Sequence, residues 1–298
     1  MGTLFDITLT CSDAAAARVY KAVSDEVRRI ESLMSPYNDG SDVYILNSSG
    51  TPVKISDETY SILERSVKVS EESGGAFDIT FVPLGELWDY KNKNFVPPSE
   101  SAIKKFLPLV NYRNILFHGN GTVSFSRSGM KIGLGAIAKG YAVERAVKIM
   151  KEMNVVSGMA DAGGNLKMLG APRSVGVRHP REDSVICSVV MNGGESVSTS
   201  GDYERYVLYR GRRYHHILDP ATGSPAEGFV SVSVICSDAT AGDAYSTAVF
   251  VMGMERANVF LKKHPELAAI LIDRSLTIYA SASLKGRLAA HSEVVWLE

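Results

Sequence analysis

Apolar and polar residues alternate over 3–10, Thr-Leu-Phe-Asp-Ile-Thr-Leu-Thr, which places Phe5, Ile7 and Leu9 on one face of a strand. The period then lengthens. Val19, Val23, Val27, Ile30 and Met34 recur at helical spacing behind Ser12 or Asp13, either of which can cap the helix, and Ser35-Pro36 ends it. Residues 37–40 read as a loop. A second helix is predicted from Asp57 to about Glu72, closed by Gly74-Gly75. The stretch 88–98 is rich in Asn, Lys and Pro and reads as a surface loop, with another helix near 100–107. Short strands are predicted between 115 and 132 around a turn at 118–122. A strong helix over 136–153 is expected to bury Val143, Ala146, Ile149, Met150 and Met153. Residues 155–235 read mostly as strands and turns. The last long helix is placed at 243–262, followed by a hairpin of 267–273 and 276–280. A strand, a helix and several strands thus occur twice, which hints at an internal duplication. Helices do not alternate regularly with single strands, so the fold class is α+β with mostly antiparallel sheets.

Composition removes options and adds none. A chain of 298 residues can bury a proper core. A net charge of −1 gives no footprint for nucleic acid or an anionic membrane. Cys11, Cys187 and Cys236 lie far apart with no CxxC spacing and read as small hydrophobes, not a metal cluster or a disulfide framework. No stretch is apolar and long enough to span a bilayer, and Met1 leads straight into the alternating strand with no visible signal peptide.

Chemistry has to come from motifs. Gly133-Leu-Gly-Ala-Ile-Ala-Lys139-Gly140 feeds a helix, and free amides at a helix start, with a lysine, attract phosphate. A glycine-rich packing turn with a solvated lysine fits the same segment, and the P-loop order is absent. Asp243 and Thr247, four apart, project from one helical face. A carboxylate with a hydroxyl suits a hard cation beside phosphates, although Asp243 as a simple helix cap fits equally. His215 and His216 are neighbours on a strand and face opposite ways, so one is buried or functional and the other exposed; His216 can accept a proton. The Asp219-Pro-Ala-Thr-Gly-Ser-Pro225 run is a turn signal. Gly74-Gly75-Ala76-Phe77-Asp78 can hold a planar heterocycle, or be a core Phe beside a capping Asp. Ser198 to Tyr203 offers hydroxyls and amides for phosphate, or an ST-turn.

The order of these segments is more telling than any one of them. Met-Gly-Thr at 1–3, Gly-Gly-Ala-Phe-Asp at 74–78, Pro83-Leu84 with Trp88, and Gly-Ala-Ile-Ala-Lys-Gly-Tyr-Ala-Val at 135–143 come first. Asp-Ala-Gly-Gly-Asn at 161–165, Thr-Ser-Gly-Asp-Tyr at 199–203, His-Ile-Leu-Asp-Pro-Ala-Thr-Gly at 216–223 and Asp-Ala-Tyr-Ser-Thr at 243–247 follow. The series resembles the FAD:protein FMN transferase (ApbE) family along essentially the whole chain. The resemblance implies a single duplicated catalytic domain over 1–298 that binds FAD and Mg2+ and moves FMN to a threonine or serine of a partner, releasing AMP. It implies Asp243, Thr247 and the Ala136 carbonyl as magnesium ligands, and His216 as the base. Met1, Tyr37, Ala76, Phe77, Asp78, Lys139 and Ile217 would line the FAD site. Flavoprotein subunits of sodium-pumping quinone reductases and Rnf complexes are the implied targets, which sets the enzyme outside the cytoplasm, often lipid-anchored. An FAD pyrophosphatase and a non-catalytic flavin-binding module are the competing readings; the tyrosine at 37 goes with transfer. The sequence departs from the family at Gly133, where an FAD-binding aspartate is usual, and at Glu144, where an aspartate is usual. Restoring the carboxylate with Gly133→Asp is expected to tighten FAD binding.

Overall fold

In the computed structural model, which describes residues 2–298, the opening segment is β1 (Asp6–Thr10), with Phe5, Ile7 and Leu9 turned inward. α1 (Asp13–Met34) follows behind Ser12 and buries Val19, Val23, Ile30 and Met34 at the predicted spacing. A short helix without a readable period comes next, α2 (Asp42–Ser48), capped by Ser41, whose hydroxyl accepts from the Tyr44 N–H. Beyond β2 (Val53–Lys54), α3 (Asp57–Glu72) has the predicted bounds. A 3-10 turn, Ile79–Phe81, leads into α4 (Val82–Trp88), and α5 (Glu100–Phe106) lies beyond it. The 88–98 stretch is not the plain surface loop expected. Trp88 and Phe95 are buried, with Tyr90 stacked against both at 6.0 and 5.9 Å, so its polar residues roof an aromatic block.

β3 (Ile115–Gly119) and β4 (Thr122–Phe125) pair antiparallel and with β2 make a small sheet. α6 (Ala138–Glu152) starts later than expected. Ile149 is only half-buried, and Met153, expected in the core, is an exposed C-cap residue. The predicted strand region holds β5 (Ser157–Asp161), β6 (Asn165–Leu169), β7 (Arg173–Arg178), β8 (Val185–Met191), β9 (Ser196–Gly201), β10 (Tyr206–Tyr209), β11 (Arg212–His215) and β12 (Phe229–Cys236). The 198–203 segment is therefore largely strand rather than a turn. α7 (Ala239–Lys263) begins before Asp243. β13 (Ala268–Asp273) and β14 (Ile278–Ser281) form the predicted hairpin, and β15 (Leu288–Ala290) and β16 (Val294–Leu297) close the chain.

An 8-stranded sheet, ordered β1-β5-β6-β9-β12-β13-β14-β16, is antiparallel at every pairing except the last. Period-2 alternation divides β13 between two cores: Ala269 and Leu271 meet the helical side, with Val249 and Phe250 of α7. Ile270 and Ile272 meet the other, where Val177, Cys187 and Val189 of the β15-β8-β7 sheet cover them. β12 is buried along its whole length, as a strand covered on both faces must be. This layered arrangement is the α+β, mostly antiparallel class expected. Among the described residues no helix is long and apolar enough to cross a membrane.

Candidate functional site

The site forms where α6 and α7 meet at Gly140. A Cβ there would lie 2.1 Å from the Ala239 carbonyl oxygen and 2.7 Å from Asp243 Cβ, so only glycine permits the approach. The contact puts the first turn of α6 against the opening turns of α7. The Gly140 N–H donates to Asp243 Oδ2 at 2.9 Å. Lys139, one residue earlier, places Nζ 3.2 Å from Asp243 Oδ1 and donates to the Gly135 carbonyl at 2.8 Å. Asn165 joins from the start of β6, almost fully buried. With its amide in the orientation that satisfies both ends, Nδ2 donates to Asp243 Oδ1 at 3.0 Å and to Ser198 Oγ at 2.9 Å, while Oδ1 accepts from Lys139 at 3.3 Å.

One expectation is corrected here. The residue capping α7 is Asp238, which accepts from the Thr240 and Ala241 amides; Asp243 is interior and only 3% exposed. Replacing it with alanine therefore disturbs the fold as well as the site, because Lys139 and the Gly140 amide would lose a buried acceptor. Two of the amides at the start of α6 are already used. That of Ala138 donates to the Leu134 carbonyl and that of Gly140 to Asp243.

Thr247 stands one turn beyond Asp243 on the same face, its Oγ1 3.2 Å from Ser200 Oγ. Ala136 is half-buried in the turn that precedes α6. The expected ligands, one buried carboxylate, one hydroxyl and a backbone carbonyl, would make a hard, all-oxygen donor set without cysteine or histidine. Among the described residues no cluster of three or more His, Cys, Asp or Glu exists that would cage a metal unaided. The set fits a cation that keeps waters and takes further oxygens from a phosphate substrate, as magnesium does.

His216 directly follows β11 (Arg212–His215), and the Lys139 charge is among those that act on it. The Arg205 carbonyl receives both its main-chain N–H (3.0 Å) and its Nδ1 (3.2 Å). That pairing assigns the proton to Nδ1 and leaves the Nε2 lone pair as an acceptor. Burial of the ring pulls its pKa down to about 4, with the Arg205 and Lys139 charges adding to the effect and the bond to the Arg205 carbonyl opposing it. His215 faces the other way, as strand alternation requires. It is buried, bonds the Ala226 carbonyl through Nε2 at 3.0 Å, and meets Phe250 edge-on at 5.6 Å. Removing it costs a buried hydrogen bond and an aromatic contact.

The segment that carries His216 is pinned from below. Tyr90 Oη donates to the His215 carbonyl at 2.7 Å, and Trp88 Nε1 to the Gly223 carbonyl at 2.8 Å. Asp219 accepts from the Ala221 amide at 2.9 Å, confirming the turn over 219–223. Arg205 Nη2 also reaches the Gly2 carbonyl at 3.5 Å, and Met1 itself lies outside the described residues.

The other expected FAD-lining residues fall into two groups. Tyr37 is 86% exposed with Lys91 Nζ 5.7 Å from its ring centroid. Ala76, Phe77 and Ile217 are buried in the main core, and Asp78 is buried beside them. Asp78 caps the 3-10 turn through the Thr80 amide at 2.8 Å and accepts from the Tyr112 amide at 2.9 Å; burial raises its pKa. Of the two sequence readings for 74–78, the core phenylalanine beside a capping aspartate describes these side chains. Gly133 is closely packed: a Cβ would stand 2.8 Å from Val82 Cγ2. The expectation that Gly133→Asp alone improves FAD binding is therefore corrected, because Val82 fills the space a side chain needs. Glu144 accepts from the Ala239 amide at 2.9 Å and pairs with Lys167 at 3.0 Å, tying α6 to the start of α7. Sequence reasoning gave Asn165 no role; its place behind Gly163-Gly164, opening a strand, was the available signal.

Comparison with known proteins places the chain in a family. The profile of the ApbE family matches residues 1–271. An FAD:protein FMN transferase of Treponema pallidum is 32% identical over 97% of this chain and 86% of its own length. One of Klebsiella pneumoniae is 30% identical over 93% and 88%. The crystal structure of an ApbE protein of Thermotoga maritima superimposes with a TM-score of 0.90 at 36% identity, covering 96% of each chain. The apo flavinyl transferase ApbE of Pseudomonas stutzeri gives 0.81 at 28% identity, covering 92% of this chain and 89% of its own.

Proposed function

The chain belongs to the ApbE family, and from that premise we propose that it moves the FMN half of FAD onto a threonine or serine hydroxyl of another protein. The observation that carries the reading is the meeting of Lys139 with Asp243, Thr247 one turn on, in a chain that also offers a histidine whose Nε2 lone pair is free. Asp243 and Thr247, with the Ala136 carbonyl, would hold Mg2+, which when bound offsets negative charge on the FAD diphosphate. The Lys139 ammonium supplies the same kind of charge from the protein itself. The target hydroxyl attacks the FMN-side phosphorus, the bond to the bridging oxygen breaks, and AMP departs with that oxygen. His216 Nε2 takes the hydroxyl proton, and the Arg205 carbonyl stabilises the imidazolium through Nδ1–H. Asn165 and the Gly140 amide fix the Asp243 carboxylate throughout. Phosphoryl transfer rests on positioning and electrostatics, which is what this site provides.

The family resemblance supports flavoprotein subunits of sodium-pumping quinone reductases or Rnf-type complexes as targets, and a lipid-anchored setting outside the cytoplasm. Co-expression with such a subunit, followed by mass spectrometry, tests the proposal. The expected result is one added FMN on a threonine or serine, dependent on FAD and abolished by EDTA. Free FMN and AMP without a protein adduct would make the enzyme a pyrophosphatase, and unchanged FAD would make it a binding module; either result overturns the reading.

A further inference from the structure

Every lone pair of the Asp243 carboxylate is already spoken for. Its Oδ1 accepts from Asn165 Nδ2 at 3.0 Å, its Oδ2 accepts from the Gly140 N–H at 2.9 Å, and Lys139 Nζ lies across both oxygens at 3.2 and 3.4 Å. A carboxylate offers about four lone-pair sites, two on each oxygen, so this one has none to spare for a further cation. A metal ion joins Asp243 only if one of these donors leaves. The Gly140 N–H is backbone, fixed where α6 touches α7. Asn165 is 1% exposed, and its amide is also committed to Ser198 Oγ at 2.9 Å. Lys139 is the remaining donor. Its side chain is 24% exposed, its contacts to the carboxylate are the longest of the set, and its ammonium rides on a flexible four-carbon stem.

The same ammonium donates to the Gly135 carbonyl at 2.8 Å and to Asn165 Oδ1 at 3.3 Å. It therefore spans from the carboxylate to the turn whose next carbonyl, that of Ala136, is an expected metal ligand. A lysine so placed answers Asp243 with positive charge of its own, and it repels any second cation that approaches the carboxylate. We infer that Lys139 is an internal counter-ion that Mg2+ has to displace from Asp243, and that FAD eases the exchange by taking the ammonium on its diphosphate. Mg2+ and FAD then bind with positive coupling carried by one side chain. The inference rests on the metal role proposed for Asp243 and Thr247, and adds what the carboxylate must release to perform it.

Calorimetric titration of MgCl2 into the full chain without FAD compares the parent with Lys139→Gln, whose amide keeps a donor and loses the charge. The variant should bind Mg2+ about ten-fold or more tighter, in line with the worth of a hydrogen bond to a charged acceptor. With saturating FAD that gain should shrink to a few-fold. A second measurement needs no variant. Acetylation of the parent's lysines by an N-hydroxysuccinimide ester, read by peptide mass spectrometry, should increase at Lys139 under saturating MgCl2 without FAD. Lys104, whose side chain is 77% exposed, should label equally with and without the metal. Magnesium affinity that Lys139→Gln leaves unchanged or weakens, or Lys139 labelling indifferent to MgCl2, would overturn the inference and leave the metal site standing. No Mg2+ binding by either protein, or binding that Thr247→Val leaves unaltered, would overturn the metal assignment itself and the inference with it.

Discussion

His216 shows how one residue's surroundings set its chemistry. An exposed imidazole is half-protonated near pH 6.5 and a poor acceptor below it. Burial drops this ring to about 4, so it stays neutral, with Nε2 available, through mildly acidic conditions. The acid limb of kcat/KM should therefore fall near pH 4 rather than near 6.5, and a limb at 6.5 would show the ring to be solvated in the free enzyme. His216→Ala should lower kcat by about 10²- to 10⁴-fold while FAD affinity measured by titration stays within a few-fold. At Gly133 the expected outcome is conditional. Gly133→Asp alone should lower the melting temperature, since the new Cβ overlaps Val82 at a typical overpacking cost of about 1–3 kcal/mol. Paired with Val82→Ala, the aspartate has room, and FAD affinity should rise about ten- to hundred-fold. Unchanged affinity in the double variant would mean that the glycine has its own settled arrangement. At this scale, helical spacing correctly joined Asp243 to Thr247, and strand alternation separated His215 from His216. Neither could reveal that Lys139 closes on Asp243, because |i−j| is 104 and that contact exists only once two helices have docked.

At the scale of elements, legibility followed length and period. α1 and α3 were readable because apolar residues repeat over several turns between clear stops. α2 is 7 residues long, too short for a period, and depends on tertiary bonds: its Asp42 Oδ2 accepts from the hydroxyls of Ser56 and Thr59. The start of α7 was misplaced because Thr240 and Gly242 are weak helix formers beside the two alanines. Gly242 is there for packing, since a Cβ would come within 3.0 Å of Cys236 Sγ and 3.3 Å of Ser198 Oγ. The same logic governs Gly140 and yields a prediction about the pair of helices. Gly140→Ala sits inside α6, where propensity alone favours alanine by about 1 kcal/mol. The 2.1 Å approach to the Ala239 carbonyl outweighs that gain and pushes α6 from α7. The variant should melt lower than the parent and lose activity out of proportion, because Lys139 and Asp243 ride on the two separated helices. A variant as stable and active as the parent would show that the helix contact does not organise the site.

Across the whole molecule, the α+β class was legible, but the division of the strands among separate sheets was not. β7, β8 and β15 alternate like any half-buried strands, and nothing in their pattern says that they cover the back of the large sheet instead of extending it. What the layers do to the titrating groups can be tested on the intact protein. Burial lowers the pKa of His215 and His216, so the unfolded chain takes up protons near pH 6.5 that the folded chain refuses. Wherever the unfolded state binds more protons, stability falls as pH falls, and for His216 that loss runs from about 6.5 down to its folded value of about 4. Carboxylates held low act in the same direction further down: Glu58, Glu195 and Asp238, and Glu26 at about 2 where it meets Arg29 and Arg145. Asp78 and Asp161, raised by burial, oppose them, because protonation relieves their buried charge as pH falls. The melting temperature should therefore decline below about pH 6.5, and the comparison with His216→Ala isolates the histidine part, since the opposing carboxylates are common to both proteins. The variant should lose stability less steeply than the parent between about pH 6.5 and 4.5. Parallel melting curves across that window would mean that the His216 ring is hydrated in the folded state, and would remove the ground for placing the acid limb of catalysis near 4.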